Sequence, residues 1–480
     1  MNGSDFQALL PLIILAGGAT ALMLQIAFLR RVNLTAALAV LVLAAAAISC
    51  LYTAPVTPVQ VTPLMLADRL ALLFCVLFCI GAAATALLSL DYIRCHGDEP
   101  EEYFLLLLLS TLGACVLAYS THVASLILGL ELLSVSLYAL VAYPSRSILP
   151  LEAAVKYLVL SGAASATMLF GFALVYAMTG AMEFKALGQA IGDVTGSPVI
   201  VMTGSAMVLA GLAFKLSAVP FHLWTPDVYQ GAPAPVTGYL ATVGKAAVFV
   251  ALLRLFLDAD LFRYTRLVEL VGLMAILGML AGNLLALLQT NLKRMLAYSS
   301  IAHIGYLLIV FMACLQADNR DLAIEASIFY LIAYTATTIA AFGMLGLLNS
   351  EGVERENVEL HQIDGLLWRR PTLAILMTVA LLSLAGIPLT AGFIAKFYLF
   401  SAAVMGGNWV LLAALIAGSG IGIYYYLRAI YTMTRRPGEQ TPPQPSPAWR
   451  DQALPLALIA VILLLGTVPQ PRVAYIGSIM

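Results

Sequence analysis

The sequence predicts an all-α polytopic membrane protein, and three observations carry that expectation. Apolar runs of about 20 residues, long enough for a helix to cross the hydrocarbon core, recur from one end of the chain to the other. Hydrophobic residues fill 62% of the 480 positions and charged residues only 10%, with a mean hydropathy of +0.97, too few charges to coat a water-soluble globule. Most basic residues fall in the short segments between the apolar runs. The net charge of -1 gives no electrostatic ground for nucleic-acid binding.

About fourteen spans follow from the runs. In order they lie near 6 to 29, 33 to 53, 66 to 90, 103 to 120, 122 to 143, 155 to 178, 198 to 219, 235 to 257, 267 to 289, 294 to 315, 322 to 349, 372 to 403, 408 to 431 and 454 to 470. The first should remain as a true span, because MNGSDFQ lacks the basic region of a signal peptide. The twelfth is too long for one straight crossing, and GIP at 386 to 388 is expected to break it. Backbone groups freed by such a break are tolerable at membrane depth only inside protein or beside a hydrated cavity.

Loop charges orient the spans. Starting outside, the inside loops hold Arg30, Arg31, Arg94, Arg146, Lys156, Lys293, Arg294, Arg355, Arg369, Arg370, Arg428, Arg435, Arg436 and Arg450. The outside loops hold Arg69, Lys185, Arg254, Arg263, Arg266, Arg320 and Arg472, so the positive-inside rule predicts both termini on the non-cytoplasmic side. The loops leave Lys215, Lys245 and Lys396 unaccounted for.

Those three lysines define the candidate site. A lysine at the middle of a membrane helix costs about 2.5 to 3.5 kcal/mol on insertion scales, which makes it a functional candidate by default. The stretch 211 to 245 holds Lys215, His222 and Lys245 among apolar residues, with Pro220, Pro226, Pro233 and Pro235 interrupting the backbone. Glu131, in SLILGLELLSVSLYAL, is the clearest acidic residue deep in a span and needs a cation or a proton. Low dielectric favours a neutral amine and a nearby carboxylate favours the ammonium, so moving Glu131 relative to Lys215 would load or unload a proton. The alternative is a static Lys-Glu pair that fixes helix packing.

The remaining polar residues carry paired readings as well. Lys396 follows Pro388 by eight residues and either completes the site or snorkels to the interface. His222 is a proton relay, since imidazole titrates near neutral pH, or a helix cap. His303, with Ser299, Ser300 and Tyr306 in AYSSIAHIGYLLI, lines a hydrated path or joins helices. Lys156 modulates the Glu131 pair or is an interface lysine. Asp227 caps or braces the interrupted segment.

The cysteines Cys50, Cys75, Cys79, Cys95, Cys115 and Cys314 lie mostly in apolar segments without CxxC spacing and are expected to be small core residues, not metal ligands. Cys75 and Cys79 share a helix face. No nucleotide-binding glycine motif is present.

FKLSAVPFHLW around Pro220 and LLSLAGIPLTAGF around Pro388 place a proline after a small or apolar pair, five spans apart, a pointer to inverted-repeat transporters. VPFHLWTPDVYQGAPAPVT, flanked by Lys215 and Lys245, resembles the signature of subunit N of bacterial proton-pumping NADH:quinone oxidoreductase, respiratory complex I. LEAAVKYLVLSG at 151 to 162, NLKRMLAYSSIAHIGY at 291 to 306 and GIPLTAGFIAKFYLF at 386 to 400 are similar to that family too.

The resemblance implies an antiporter-like fold with two inverted five-helix repeats and broken helices 7 and 12. Its segments would be 1-102 (three N-terminal helices), 103-257 (first repeat), 258-431 (second repeat) and 432-480 (loop and last helix). It also implies that Glu131 pairs with Lys215, that Lys245 is the central lysine and Lys396 the terminal one, and that His222, Lys156 and His303 match polar positions along one axis. Protons would pass along that axis in response to quinone chemistry elsewhere. No cofactor is expected in this chain; NADH, FMN, iron-sulfur clusters and quinone would be held by partner subunits of complex I, in a bacterial inner membrane. Gln230 stands where family members often carry Glu. An Mrp-type cation/proton antiporter subunit and a passive scaffold remain the alternatives.

Overall fold

A computed structural model describes residues 2–96, 100–143, 148–192, 198–349, 358–436 and 449–469. Among the described residues, twelve helices are long and apolar enough to cross a membrane, the first Leu10–Phe28 and the last Trp409–Thr434. Three shorter apolar helices, Pro371–Ala385, Ala391–Met405 and Gln452–Thr467, account for the expected twelfth and last spans. Arg146, Arg355 and Arg472, used above for orientation, lie outside the described residues, as do the side chains of Arg94, Cys95 and Arg450.

The helices group into two compact units. The first comprises Met1–Ser217 with Val243–Val268, and the second Ala218–Thr242 with Glu269–Ser478. These packing units do not follow the repeat boundaries expected from the sequence, because the segment 218–242 packs with the second unit.

In the first unit the helix Ile148–Thr179 runs along Pro198–Leu216, and Pro100–Tyr119 runs along Val123–Val141. Between lipid-soluble helices the attraction comes from close packing, which small residues permit. A Cβ on Gly171 would stand 2.6 Å from the Gly204 carbonyl oxygen, and one on Gly204 would stand 2.7 Å from that of Gly171. The two backbones therefore touch, and nearer to Lys215 a Cβ on Gly211 would stand 2.9 Å from the Ala164 carbonyl oxygen. At one end of the unit the chain folds into a hairpin absent from the sequence reading: Val59–Thr62 pairs antiparallel with Met65–Ala67, in register Val59↔Ala67 and Gln60↔Leu66. The turn residue Leu64 then accepts from the Thr121 amide at 3.1 Å, and Thr121 accepts from Phe184 at 2.9 Å, so three loops are tied together.

In the second unit the long helix Arg320–Asn349 is central, touching Ala234–Tyr239, Pro371–Ala385 and Ala391–Met405. The expected break in the twelfth span is present. Pro371–Ala385 ends on Gly386 at φ 84, and the Ile387 amide donates back to the Leu382 carbonyl at 3.0 Å, a left-handed glycine stop that supplies a partner to a freed carbonyl. The chain then resumes at Ala391.

Replacing Gly204 with Val would drive the crossing helices apart. We expect Gly204→Val to cost about 1–3 kcal/mol, the usual range for overpacking, read as a lower melting temperature in detergent. Gly162→Val, where a Cβ meets nothing within 4 Å, serves as the control.

Candidate functional site

Lys215 occupies the last turn of Pro198–Leu216, just before the chain leaves helical geometry at Ser217, φ 61. The lysine is 6% exposed, and its ammonium donates to Ser134 Oγ at 2.8 Å and Ser161 Oγ at 2.7 Å. Ser161 accepts a second hydrogen bond from the Tyr138 hydroxyl at 2.7 Å. The Glu131 carboxylate accepts from Ser165 Oγ at 2.7 Å.

Helical spacing explains the arrangement. Glu131, Ser134 and Tyr138 recur at i, i+3 and i+7 on Val123–Val141, and Ser161 and Ser165 at i and i+4 on Ile148–Thr179, so each helix lays its polar groups on one stripe. The expected Glu131–Lys215 ion pair is thereby corrected: the two are within electrostatic reach, but Lys215 is bonded to two serine hydroxyls and Glu131 to a third. Hydroxyls give the charge hydrogen bonds without fixing it as tightly as a carboxylate contact would. Lys156 lies on an exposed face, where it bonds Glu152 at 2.8 Å.

Lys245 opens the helix Lys245–Asp258 and is 1% exposed. The five residues before it, Leu240–Gly244, form a π-helical turn, a wide turn that interrupts the regular hydrogen-bond ladder and recurs at functional positions. His222 is buried in the turn that separates Leu216 from Trp224, and its carbonyl accepts from the Thr225 amide at 3.0 Å.

In the second unit His303 and Lys396 line one small cavity together with Tyr330, Tyr334, Thr337 and Ser383. It encloses about 10 Å³, close to the minimum for a single water. His303 Nδ1 lies 2.6 Å from the Tyr330 hydroxyl and Nε2 3.4 Å from that of Tyr426, and Tyr426 is bonded in turn to Ser299. The Lys396 ammonium donates to the carbonyls of Leu384 and Ala385 at 3.1 and 2.9 Å and stands 5.2 Å over the Tyr306 ring. It therefore points to the break in its own span and does not snorkel. The carbonyls orphaned where Pro371–Ala385 ends are acceptors for this cation, which is why the break and the lysine occur together.

The family described as NADH:quinone oxidoreductase/Mrp antiporter, TM, matches residues 120–422. NADH-quinone oxidoreductase subunit N of Methylococcus capsulatus (strain ATCC 33009 / NCIMB 11132 / Bath) is 48% identical over 473 residues, 98% of this chain and 95% of the relative. The chain belongs to the subunit N family. Among solved structures, a chain of respiratory complex I from Thermus thermophilus with bound aureothin superposes with a TM-score of 0.80 at 34% identity, covering 97% of this chain and 98% of that one. A chain of the membrane-bound sulfane sulfur reductase, an archaeal respiratory membrane complex, reaches 0.84 at 25% identity over 98% and 97% of the two chains. A chain of the Mrp complex from Dietzia sp. DQ12-45-1b reaches 0.86 at 21% identity over 100% and 97%, a likeness of fold alone.

Several residues of this subunit N family member were not legible as site residues. Ser134, Ser161 and Ser165 are single hydroxyls in apolar spans, and only their spacing from Glu131 and from one another marks them. Arg254, assigned above to an outside loop, lies within Lys245–Asp258, 3% exposed and paired with Asp68 at 2.7 Å. Lys293, assigned to an inside loop, is fully buried in the first turn of Leu292–Leu307 and donates to the carbonyls of Ala232 at 2.7 Å and Gln230 at 3.3 Å. Its neighbour Arg294 bonds Asp227 at 2.7 Å and the Gln230 side chain at 2.9 Å, so Asp227 braces the segment after the break. At the hairpin end, His122 Nδ1 accepts from the Ala124 amide at 3.0 Å. Partial burial holds its imidazole below the usual histidine range, against the opposing pull of Glu183.

A Cβ on Gly386 would lie 2.9 Å from Lys396 Cδ, whereas one on Gly407, at φ 65, meets nothing within 4 Å. Gly386→Ala and Gly407→Ala both carry the left-handed backbone penalty of about 1–2 kcal/mol. The first should lower the melting temperature further than the second, and equal shifts would mean that Lys396 yields freely.

Proposed function

We propose that this chain is the membrane-arm subunit of an NADH:quinone oxidoreductase that translocates protons, driven by electron transfer from NADH to quinone in partner subunits. Membership of the subunit N family over nearly the whole chain supports the assignment to that complex. The observation that carries the proton-handling role is the Lys215 ammonium, buried on two serine hydroxyls with the Glu131 carboxylate in electrostatic reach and held by a separate serine.

A rotation of Glu131 away from Ser165 and toward Lys215 favours the charged lysine; its return favours proton release. Ser134, Ser161 and Tyr138 supply hydroxyls that both accept and donate, so they pass a proton on without becoming charged. In the second unit Lys396 and His303 form the corresponding group. The carbonyls at the helix break hold the ammonium when charged, and the His303 imidazole, bonded to Tyr330, has a nitrogen able to accept or donate a proton. Lys245 and His222 serve as further carriers. Lys156 is left out, since it is engaged with Glu152 on an exposed face.

The chain resides in a bacterial inner membrane with both termini on the periplasmic side. Removing Arg254 from the outside loops and Lys293 from the inside loops leaves the basic bias in place. FMN, iron-sulfur clusters and the quinone site belong to the partner subunits.

The test is made on the intact complex in inside-out vesicles, following NADH oxidation and the pH gradient together. Lys215→Ala and Glu131→Gln should each assemble and lower the ratio of protons translocated to NADH oxidised. Ser165→Ala, which frees Glu131 from its resting partner, should have a smaller effect. Unchanged proton translocation in assembled Lys215→Ala would sink the proposal.

A further inference from the structure

Cysteines that the sequence scatters over three helices meet in the first unit. Cys75 and Cys79, one turn apart on Arg69–His96, and Cys115 on Pro100–Tyr119 bring three sulfur atoms within 4.8 Å of one another. Cys75 Sγ and Cys115 Sγ are 3.2 Å apart, and none of the three is more than 1% exposed. Cys50, on Val32–Thr53, borders Cys75, with its thiol donating to the Ala46 carbonyl at 3.4 Å. Simple core filling does not ask sulfur to converge from separate helices.

A second observation points to a ligand. The Tyr119 hydroxyl, one turn beyond Cys115 and fully buried, has no hydrogen-bond partner and lies within electrostatic reach of Cys50, Cys75 and Cys115. A buried hydroxyl without a partner is costly, and a ligand held by the neighbouring sulfurs would change its surroundings.

The donor geometry selects the ion. Three sulfurs bound at about 2.3 Å to one metal in a plane lie about 4 Å from one another, and the three here all lie within 4.8 Å of one another. Among the described residues the converging set is sulfur only, which excludes hard cations such as magnesium and calcium. Structural zinc asks for four ligands, whereas cuprous ion is served by soft sulfur alone.

We propose that Cys75, Cys79 and Cys115 form a three-coordinate site for a cuprous ion. Binding forms three copper–sulfur bonds and releases two thiol protons to solvent, so that two sulfurs bind as thiolates and the third as a neutral thiol. Copper keeps its oxidation state, and the centre carries one net negative charge. Cys50 lies outside the coordination sphere and shields it. The site belongs to this chain and takes no part in the lysine and glutamate chemistry.

The intact membrane complex would be purified, loaded without oxygen using cuprous ion buffered by bicinchoninate together with zinc, and desalted. Metal per copy of this chain is then read by elemental and peptide mass spectrometry. The native complex should retain about one copper more than the Cys75→Ser/Cys115→Ser variant, and Cys314→Ser should match the native complex. If the double variant does not assemble, Cys115→Ala carries the comparison. Equal copper in native and variant complexes, or retention of zinc with no copper, would overturn the proposal.

Discussion

A charged group inside a membrane must find polar partners within the protein, and the polar architecture of this chain follows from that requirement. Lys215 meets it with serine hydroxyls from two neighbouring helices. Lys396 meets it with backbone carbonyls released by a break in its own span. Arg254 meets it with a carboxylate, and Lys293 with the carbonyls that end the short helix Trp224–Gly231. Four cations thus draw on three kinds of acceptor. A carboxylate partner neutralises the charge, whereas hydroxyls and carbonyls solvate it and leave it in place.

The helix breaks take their meaning from the same constraint. A continuous helix satisfies its own carbonyls, so it has nothing to offer a buried cation. Ending Pro371–Ala385 at Gly386 leaves two carbonyls pointing at Lys396, and the left-handed glycine lets the chain turn back close to the lysine stem. The close backbone approaches at Gly171 with Gly204 and at Gly211 with Ala164 play a supporting part in the other unit, since they accompany the direct bond from Lys215 to Ser161. Small residues at a crossing and a glycine at a break are structural devices whose effect appears at the lysines.

Much of this was legible before any coordinates. The spans, the broken twelfth helix and the three lysines outside the loops all rest on local features: hydropathy over a window, a GIP triplet, a charge where a charge is expensive. Partner choice was not legible. Glu131 was expected on Lys215 because opposite charges attract, yet the geometry interposes hydroxyls whose signal in sequence is no stronger than that of any serine in an apolar run. Arg254 and Lys293 were assigned to loops because they lie near the ends of spans, where position along the helix and depth in the protein are easily confused. The hairpin 59–67 was missed because its strands are shorter than the window that detects a span.

The sequence by itself determined that this chain crosses a membrane many times, where its helices break, and which buried charges demand an explanation, because transfer free energy and backbone stereochemistry act residue by residue. Only the tertiary structure decided which hydroxyl, carbonyl or sulfur each of those residues meets. Glu131 and Lys215 are 84 positions apart, as Cys75 and Cys115 are 40 apart. Whether such residues touch is set by how helices cross, at contacts as small as Gly171 against Gly204, and that packing is a property of the folded chain as a whole.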